Sequence, residues 1–260
     1  MSATTQPEPA SPPAWAGAEL ANPHANAEKP AKVRRMFAAI APKYDLNNRV
    51  HSLWLDQHWR RVAVRRAMVK PGDAVLDVAC GTGDLTQAFA RSPAAKVTGL
   101  DFTKEMLTFA ERKRTGLAAP TASKIAYIEG DAQNLPFEAA SFDVVSIAFG
   151  IRNVADPSKA LREFARVLRP GGRVVVLEFD QPRNGLVRWF NNLYCAKVMP
   201  RTATWISGDR SGAYSYLPAS VSAFMTRDEM CEAMSRAGFA QVVAEPLSLG
   251  ICACYRALKA

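Results

Sequence analysis

The sequence predicts an α/β fold, a mostly parallel seven-stranded sheet with helices on both faces. Three observations carry this. Short apolar runs alternate with helically periodic segments from residue 74 to residue 179. The first run, Val75, Leu76 and Val78, breaks at Gly81-Thr82-Gly83 directly into a helical pattern of Leu85, Phe89 and Ala90. Two further extended runs, 241–244 and 251–258, read as a hairpin closing one edge of the sheet.

In chain order, residues 1–30 hold six prolines, many alanines and few large apolar side chains. Such a segment buries too little surface to offset its ordering entropy, so it is expected to be a disordered Pro/Ala-rich tail. Residues 31–260 are expected to form one domain. Val33, Met36, Phe37 and Ile40 recur at helical spacing up to Pro42. Lys43 to Asn48 is a polar connection, and a second helical stretch covers 50–68. Its Arg60, Arg61, Arg65 and Arg66 form a solvated face or meet an anionic surface. Pro71-Gly72 then turns the chain into the first strand.

The later strands are predicted at 97–100, 125–128, 142–149 and 173–179, with helices at 106–113 and 158–168 between them. Right-handed crossovers bring the C-terminal ends of such strands to one edge, where ligands bind. Residues 183–217 interrupt the alternation. Their stripe of Leu186, Trp189, Phe190, Leu193, Tyr194 and Val198 predicts a core-packing helix, or else a lid over an apolar substrate. Thr226 is placed to cap a helix that Gly238 ends.

Composition narrows the class. The 260 residues are 48% hydrophobic and 22% charged, which suits one large soluble domain. No apolar run reaches the length of a membrane span, and no basic start leads into an apolar core, so no secretory signal is expected. Five scattered cysteines suit free thiols in a reducing cytoplasm. Cys252-x-Cys254 lacks a second pair, so no metal site is indicated. The net charge of +9 points to an anionic partner, nucleic acid or lipid, without choosing between them.

The glycine turn suggests what is bound. Gly81-x-Gly83 followed by Asp101 resembles a dinucleotide motif, but the third glycine is replaced by Thr86. Asp77, Asp84, Asp101 and Asp131 all fall near the ligand-binding edge, with Asp84 in the first helical turn, where it would repel phosphate. Four carboxylates suit a ligand with ribose hydroxyls and an amine but no phosphate, a description S-adenosylmethionine (SAM) meets.

The stretch Val75-Leu76-Asp77-Val78-Ala79-Cys80-Gly81-Thr82-Gly83 resembles the cofactor motif of class I SAM-dependent methyltransferases, which implies a Rossmann-like fold. From about Met36 onward the chain is similar to the UbiE/MenG/COQ5 family of quinone-biosynthesis C-methyltransferases. The more particular matches are Lys43-Tyr44-Asp45 and Phe149-Gly150-Ile151-Arg152-Asn153-Val154, and Asp131-Ala132-x-x-Leu135-Pro136-Phe137 matches as well. Others are Leu177-Glu178-Phe179 and Tyr214-x-Tyr216-Leu217-Pro218.

The resemblance implies a cofactor site of Gly81, Thr82 and Gly83 in the turn, Asp101 on the ribose hydroxyls, and Asp131 with Ala132 flanking the adenine. It implies methylation of a ring carbon of a polyprenylated quinol. Arg152 is expected to stabilise the phenolate, Asn153 to orient the second oxygen and Tyr44 to contact the quinol. Ala148, Ser215 and Tyr255 depart from residues frequent in the family. Of the three histidines, none falls in the predicted sheet domain, although His51 or His58 could fold over the site.

Residues 183–217 would cover the substrate. The insoluble tail implies a cytoplasmic protein that associates peripherally with an anionic membrane surface, and a homodimer is left open. No nucleic-acid partner is expected, because there is no added RNA-binding module and no Asn-Pro-Pro-Tyr-like stretch after the fourth strand. The rivals are a methyltransferase acting on another small molecule or RNA, and a non-catalytic SAM-binding subunit of a quinone-synthesis complex.

Overall fold

The computed structural model describes Ala14, Trp15 and residues 17–207 and 212–260. Seven strands form one sheet: β1 (Ala74–Val78), β2 (Lys96–Asp101), β3 (Ile125–Glu129), β4 (Phe142–Ala148), β5 (Leu168–Phe179), β6 (Phe239–Leu247) and β7 (Cys252–Lys259). Their order is β3-β2-β1-β4-β5-β7-β6. The first five run parallel, and β7 pairs antiparallel with both β5 and β6. The strand order reverses beside β1, with β2 on one side and β4 on the other. A crevice opens at the strand ends there.

The central strands are apolar throughout because helices cover both faces. Alternate residues point to opposite sides. Leu76, Val145, Val174 and Val176 pack against α7 (Pro157–Val167) and α11 (Arg227–Arg236) through Leu161, Phe164, Met230 and Met234. Val75, Val144, Val175 and Leu177 pack against α3 (Leu55–Arg66) and α4 (Asp84–Ala90) through Trp59, Val62, Leu85 and Phe89. Helix α7 starts where Asp156 accepts a bond from the Lys159 amide, with Pro157 in its first turn. At α11, Thr226 and Glu229 form the reciprocal capping box. The edge beyond β2 carries α5 (Lys104–Arg114) and the short α6 (Ala119–Ala122).

A third apolar cluster joins the N-terminal segment to the insertion. Helix α1 (Lys29–Ile40) contributes Val33, Met36 and Ile40, and α10 (Ala213–Ser222) contributes Tyr214 and Tyr216. Trp15 is 1% exposed and stacks on Tyr216 with ring centroids 4.5 Å apart. Gly212, at φ +83°, lets α10 begin against the Trp15 backbone, which a Cβ there would overlap.

Three expectations are corrected. The disordered tail up to residue 30 does not hold for its C-terminal part. Trp15 supplies the buried area that average composition conceals, and Gly17–Leu20 and Pro23–Ala25 form short 3-10 turns. Residues 1–13 and 16 lie outside the described residues. The connection at 43–48 is helical, and the stretch 50–68 is broken. Helix α2 (Tyr44–Ser52) ends at left-handed Leu53 and Trp54 before α3 begins. The core-packing stripe at 186–198 is not a core. Helix α8 (Gly185–Leu193) buries none of its residues and continues through a π-turn (Tyr194–Val198) into α9 (Met199–Ser207).

Candidate active site

After β1 the backbone takes left-handed conformations at Ala79, Gly81 and Gly83 and enters α4. The turn is locked to β2 by Asp101. One Asp101 oxygen accepts the Gly81 amide at 2.7 Å, and the other accepts the Thr103 amide at 2.8 Å. Burial raises the Asp101 carboxyl to about 6, although these amides favour the charged form. The Asp101 side chain borders a cavity walled by Phe102 and Met106, by Asp131, Ala132 and Gln133, and by Ala79, Gly81, Ala148 and Phe149. Its remaining walls include Val33 and Phe37 from α1, Tyr44 from α2, and Asn153.

The loops after β1 and β4 meet closely beneath this cavity. A Cβ at Gly150 would come within 2.6 Å of the Ala79 Cβ. Tyr44 is half-buried, and desolvation raises its hydroxyl above the ordinary phenol value. A Cβ at Gly81 would meet its ring at 4.0 Å, and Phe37 packs edge-on against it. Asn153 donates to the Phe149 carbonyl and accepts the Tyr216 hydroxyl at 2.9 Å.

Asp101, Asp131, Ala132, Gly81, Tyr44 and Asn153 therefore converge on one cavity, as expected. The other expected residues sit elsewhere. Thr82 is buried and donates to Asp45 at 2.6 Å. Gly83 packs on Tyr127, whose hydroxyl would overlap any Cβ placed there. Two of the four carboxylates assigned to the ligand edge do not line the cavity. Asp77 accepts Thr86 and Ser146 at 2.6 and 2.8 Å and is raised to about 6 by burial. Asp84 is paired with Arg49 at 2.5 Å and with Lys113. Burial opposes its ionisation, but Arg60, Lys113 and Arg49 outweigh that and hold it well below the carboxylate range. Its role is to fasten α2 and α5 to the start of α4.

Arg152 is placed beside the cavity rather than in it. Its guanidinium donates to Glu178 at 2.6 Å, to the Phe149 carbonyl at 2.8 Å and to Ser220 at 3.3 Å. Glu178 also accepts the Phe179 amide at 2.8 Å. The pair thus joins the loop after β4, the end of β5 and α10. Arg60, expected on an exposed face, is buried instead. It bonds Asp56 at 2.8 Å and stacks 5.4 Å from the Phe149 ring. His51 meets the Tyr194 hydroxyl at 2.9 Å, whereas His58 is exposed.

Two residues at the site were missed in the sequence. Lys29 is buried and donates to the Arg152 and Val154 carbonyls at 2.9 and 2.6 Å. Burial and the Arg152 charge lower its ammonium to about 8. Nothing in the sequence around Lys29 announces this. Glu178 did carry a signal, as a lone carboxylate ending an otherwise apolar strand.

Comparison with known proteins decides the family. The model of the ubiE/COQ5 methyltransferase family matches residues 25–259. The chain belongs to that family. It is 45% identical over 213 residues to a demethylmenaquinone methyltransferase of Deinococcus radiodurans, covering 82% of this chain and 86% of that protein. It is 42% identical over 234 residues to a ubiquinone/menaquinone biosynthesis C-methyltransferase UbiE of Geotalea daltonii, covering 89% and 98%. Among solved structures it resembles a SAM dependent methyltransferase from Aquifex aeolicus. The TM-score is 0.55 at 16% identity, over 77% of this chain and 89% of that one. That likeness establishes the Rossmann-like methyltransferase fold. Among the described residues no helix is long and apolar enough to cross a membrane.

Proposed function

We propose that this protein methylates a ring carbon of a polyprenylated quinol. The product is menaquinol from demethylmenaquinol, or the corresponding methylated 2-polyprenyl-6-methoxy-1,4-benzoquinol. The observation that carries this reading is that Asp101 and Phe149, Gly150 and Asn153 line one largely apolar cavity, in a chain of the ubiE/COQ5 family.

The cavity fits SAM. Asp101 borders it as a carboxylate acceptor for ribose hydroxyls, and Phe102, Met106 and Ala132 offer apolar faces to an adenine. Asp131 stands beside them as an acceptor for its amine. When bound, SAM supplies a methyl group on a sulfonium that leaves as a neutral thioether. The protein's own contribution is alignment and exclusion of water. Phe149 and Tyr44 both line the cavity with Gly81, and a quinol ring would lie there against the methyl donor. Asn153, fixed by Phe149 and Tyr216, orients a quinol oxygen.

A quinol hydroxyl ionises near the tyrosine range, about 10, so near neutral pH the ring reacts better if its oxygen is stabilised as phenolate. Arg152 serves this through position: its bonds to Phe149 and Glu178 set the loop that carries Asn153. The tail partitions into lipid, so this reading makes the protein a cytoplasmic one that works at a bilayer.

The test is transfer of labelled methyl from SAM to a reduced demethylnaphthoquinol or benzoquinol, read as one added methyl on the extracted ring. Binding of SAM without transfer to either quinol would refute the assignment.

A further inference from the structure

Helix α8 turns its apolar side outward. Leu186, Trp189, Phe190 and Leu193 recur at one helical face, with Trp189 58% and Phe190 57% exposed. A second apolar set stands next to it. The end of α2 is closed by bonds from the Trp54 amide to the Arg49 carbonyl and from the Leu53 amide to the Val50 carbonyl. Such a cap normally places glycine at its left-handed position. Here Leu53 and Trp54 occupy φ +50° and +62°, with side chains 80% and 61% exposed. The bond between His51 and Tyr194 fastens this turn to the segment that follows α8.

The charge on the segment is one-sided. Residues 181–207 contain Arg183, Arg188, Lys197 and Arg201 and neither aspartate nor glutamate. Arg183 meets Asp228 at 2.9 Å, while Arg188 and Lys197 have no carboxylate partner among the described residues.

We propose that α8 and the Leu53–Trp54 turn dock the protein on an anionic phospholipid surface. Tryptophan and phenylalanine suit the boundary between headgroups and acyl chains, and flanking arginine and lysine suit the phosphates. A second copy of the chain is the poorer occupant. A two-fold contact would set this cationic face against itself with no carboxylate to answer it. The inference rests on the quinol reading only for the reason the protein visits a bilayer. It also sets aside two of the α3 arginines as the contact, since Arg60 is buried and Arg66 is paired with Glu245.

The test is flotation of the full chain with vesicles of phosphatidylcholine plus phosphatidylglycerol, against phosphatidylcholine alone, at low and high salt. Wild type is expected to float with the anionic vesicles and to be released by salt. The double variant Trp189→Glu with Phe190→Glu should lose partitioning on the order of 100-fold. Its thermal melting and its turnover of a short-tailed, water-soluble demethylnaphthoquinol should match wild type.

No flotation at low ionic strength, or flotation equal in the variant, overturns the docking surface whatever the soluble turnover shows. Self-association that the variant abolishes, without vesicle binding, also overturns it in favour of a second copy. Loss of soluble turnover in wild type itself would fall on the quinol reading instead.

Discussion

The Arg152–Glu178 pair gives the sharpest test of how this site is built. The side chains are only 5% and 2% exposed, so neither charge has water to fall back on. Arg152→Ala leaves the Glu178 carboxylate buried with only the amides of Arg152 and Phe179. Breaking such a pair typically costs about 3–5 kcal/mol, a large share of a domain's stability. The urea midpoint should fall by about 1–2 M. Glu178→Gln keeps an oxygen for Arg152 and for the Phe179 amide but removes the charge, so it should cost less.

The double variant should cost less than the sum, with a coupling of about 2–3 kcal/mol. Turnover then separates two roles for Arg152. If it acts by holding Phe149 and Asn153, both single variants lower kcat together, by on the order of 100-fold. The double variant is then no worse, and cofactor affinity by calorimetry stays near wild type throughout. If Arg152 itself meets the phenolate, Glu178→Gln retains turnover and Arg152→Ala does not. That split would refute the bracing role, and an additive double variant would refute the pairing.

Three further outcomes follow from the same geometry. Asp101→Ala removes two charge-assisted bonds to ribose hydroxyls, so the SAM Kd should rise at least about 100-fold by calorimetry; an unchanged Kd refutes the placement. Because Asp101 must be ionised to accept those hydroxyls, SAM affinity should drop about tenfold per pH unit below about 6. The sign for folding is opposite. Asp77 and Asp101 are both raised from 3.8 to about 6, so the folded chain holds these protons more tightly. Their contribution to stability is full below about 4 and is lost as pH rises through 6. Between pH 5 and pH 7 the Tm of wild type relative to Asp77→Asn should therefore fall while the SAM-induced shift in Tm rises; parallel changes refute the assignment. Trp15→Ala should destabilise the fold by about 3–5 kcal/mol in urea, and a loss under about 1 kcal/mol would refute its place in the core.

The sheet was legible because its signals are local. Alternating apolar runs and the Thr226 cap each dictate nearby backbone, and the strands formed where those runs lie. The cofactor edge was half legible. Asp101 and Asp131 follow from being the residues that end neighbouring strands, which any parallel sheet brings together. Asp77 within β1 and Asp84 at the start of α4 lie near the same edge in the sequence, yet partners from far along the chain hold them. Ser146 and Arg49 engage them, and sequence spacing holds no record of such distant contacts. Trp15 was hidden for a related reason: one large aromatic ring among prolines changes a composition little but buries a large apolar area.

The Asp84 result also changes why the glycine turn suits its ligand. A carboxylate in the first turn of α4 looked like a charge that repels phosphate from a helix N-terminus. In the structure it is neutralised by Arg49 and Lys113, so it offers the cavity little field. What selects against phosphate is Asp101 instead, a buried carboxylate bound to the turn's own Gly81 amide. That amide would otherwise be free to meet a pyrophosphate oxygen. Asp101 thus removes an anion-binding group and adds an acceptor in the same place. On the proposed SAM reading, that one bond would leave the turn a site for neutral hydroxyls in place of a phosphate.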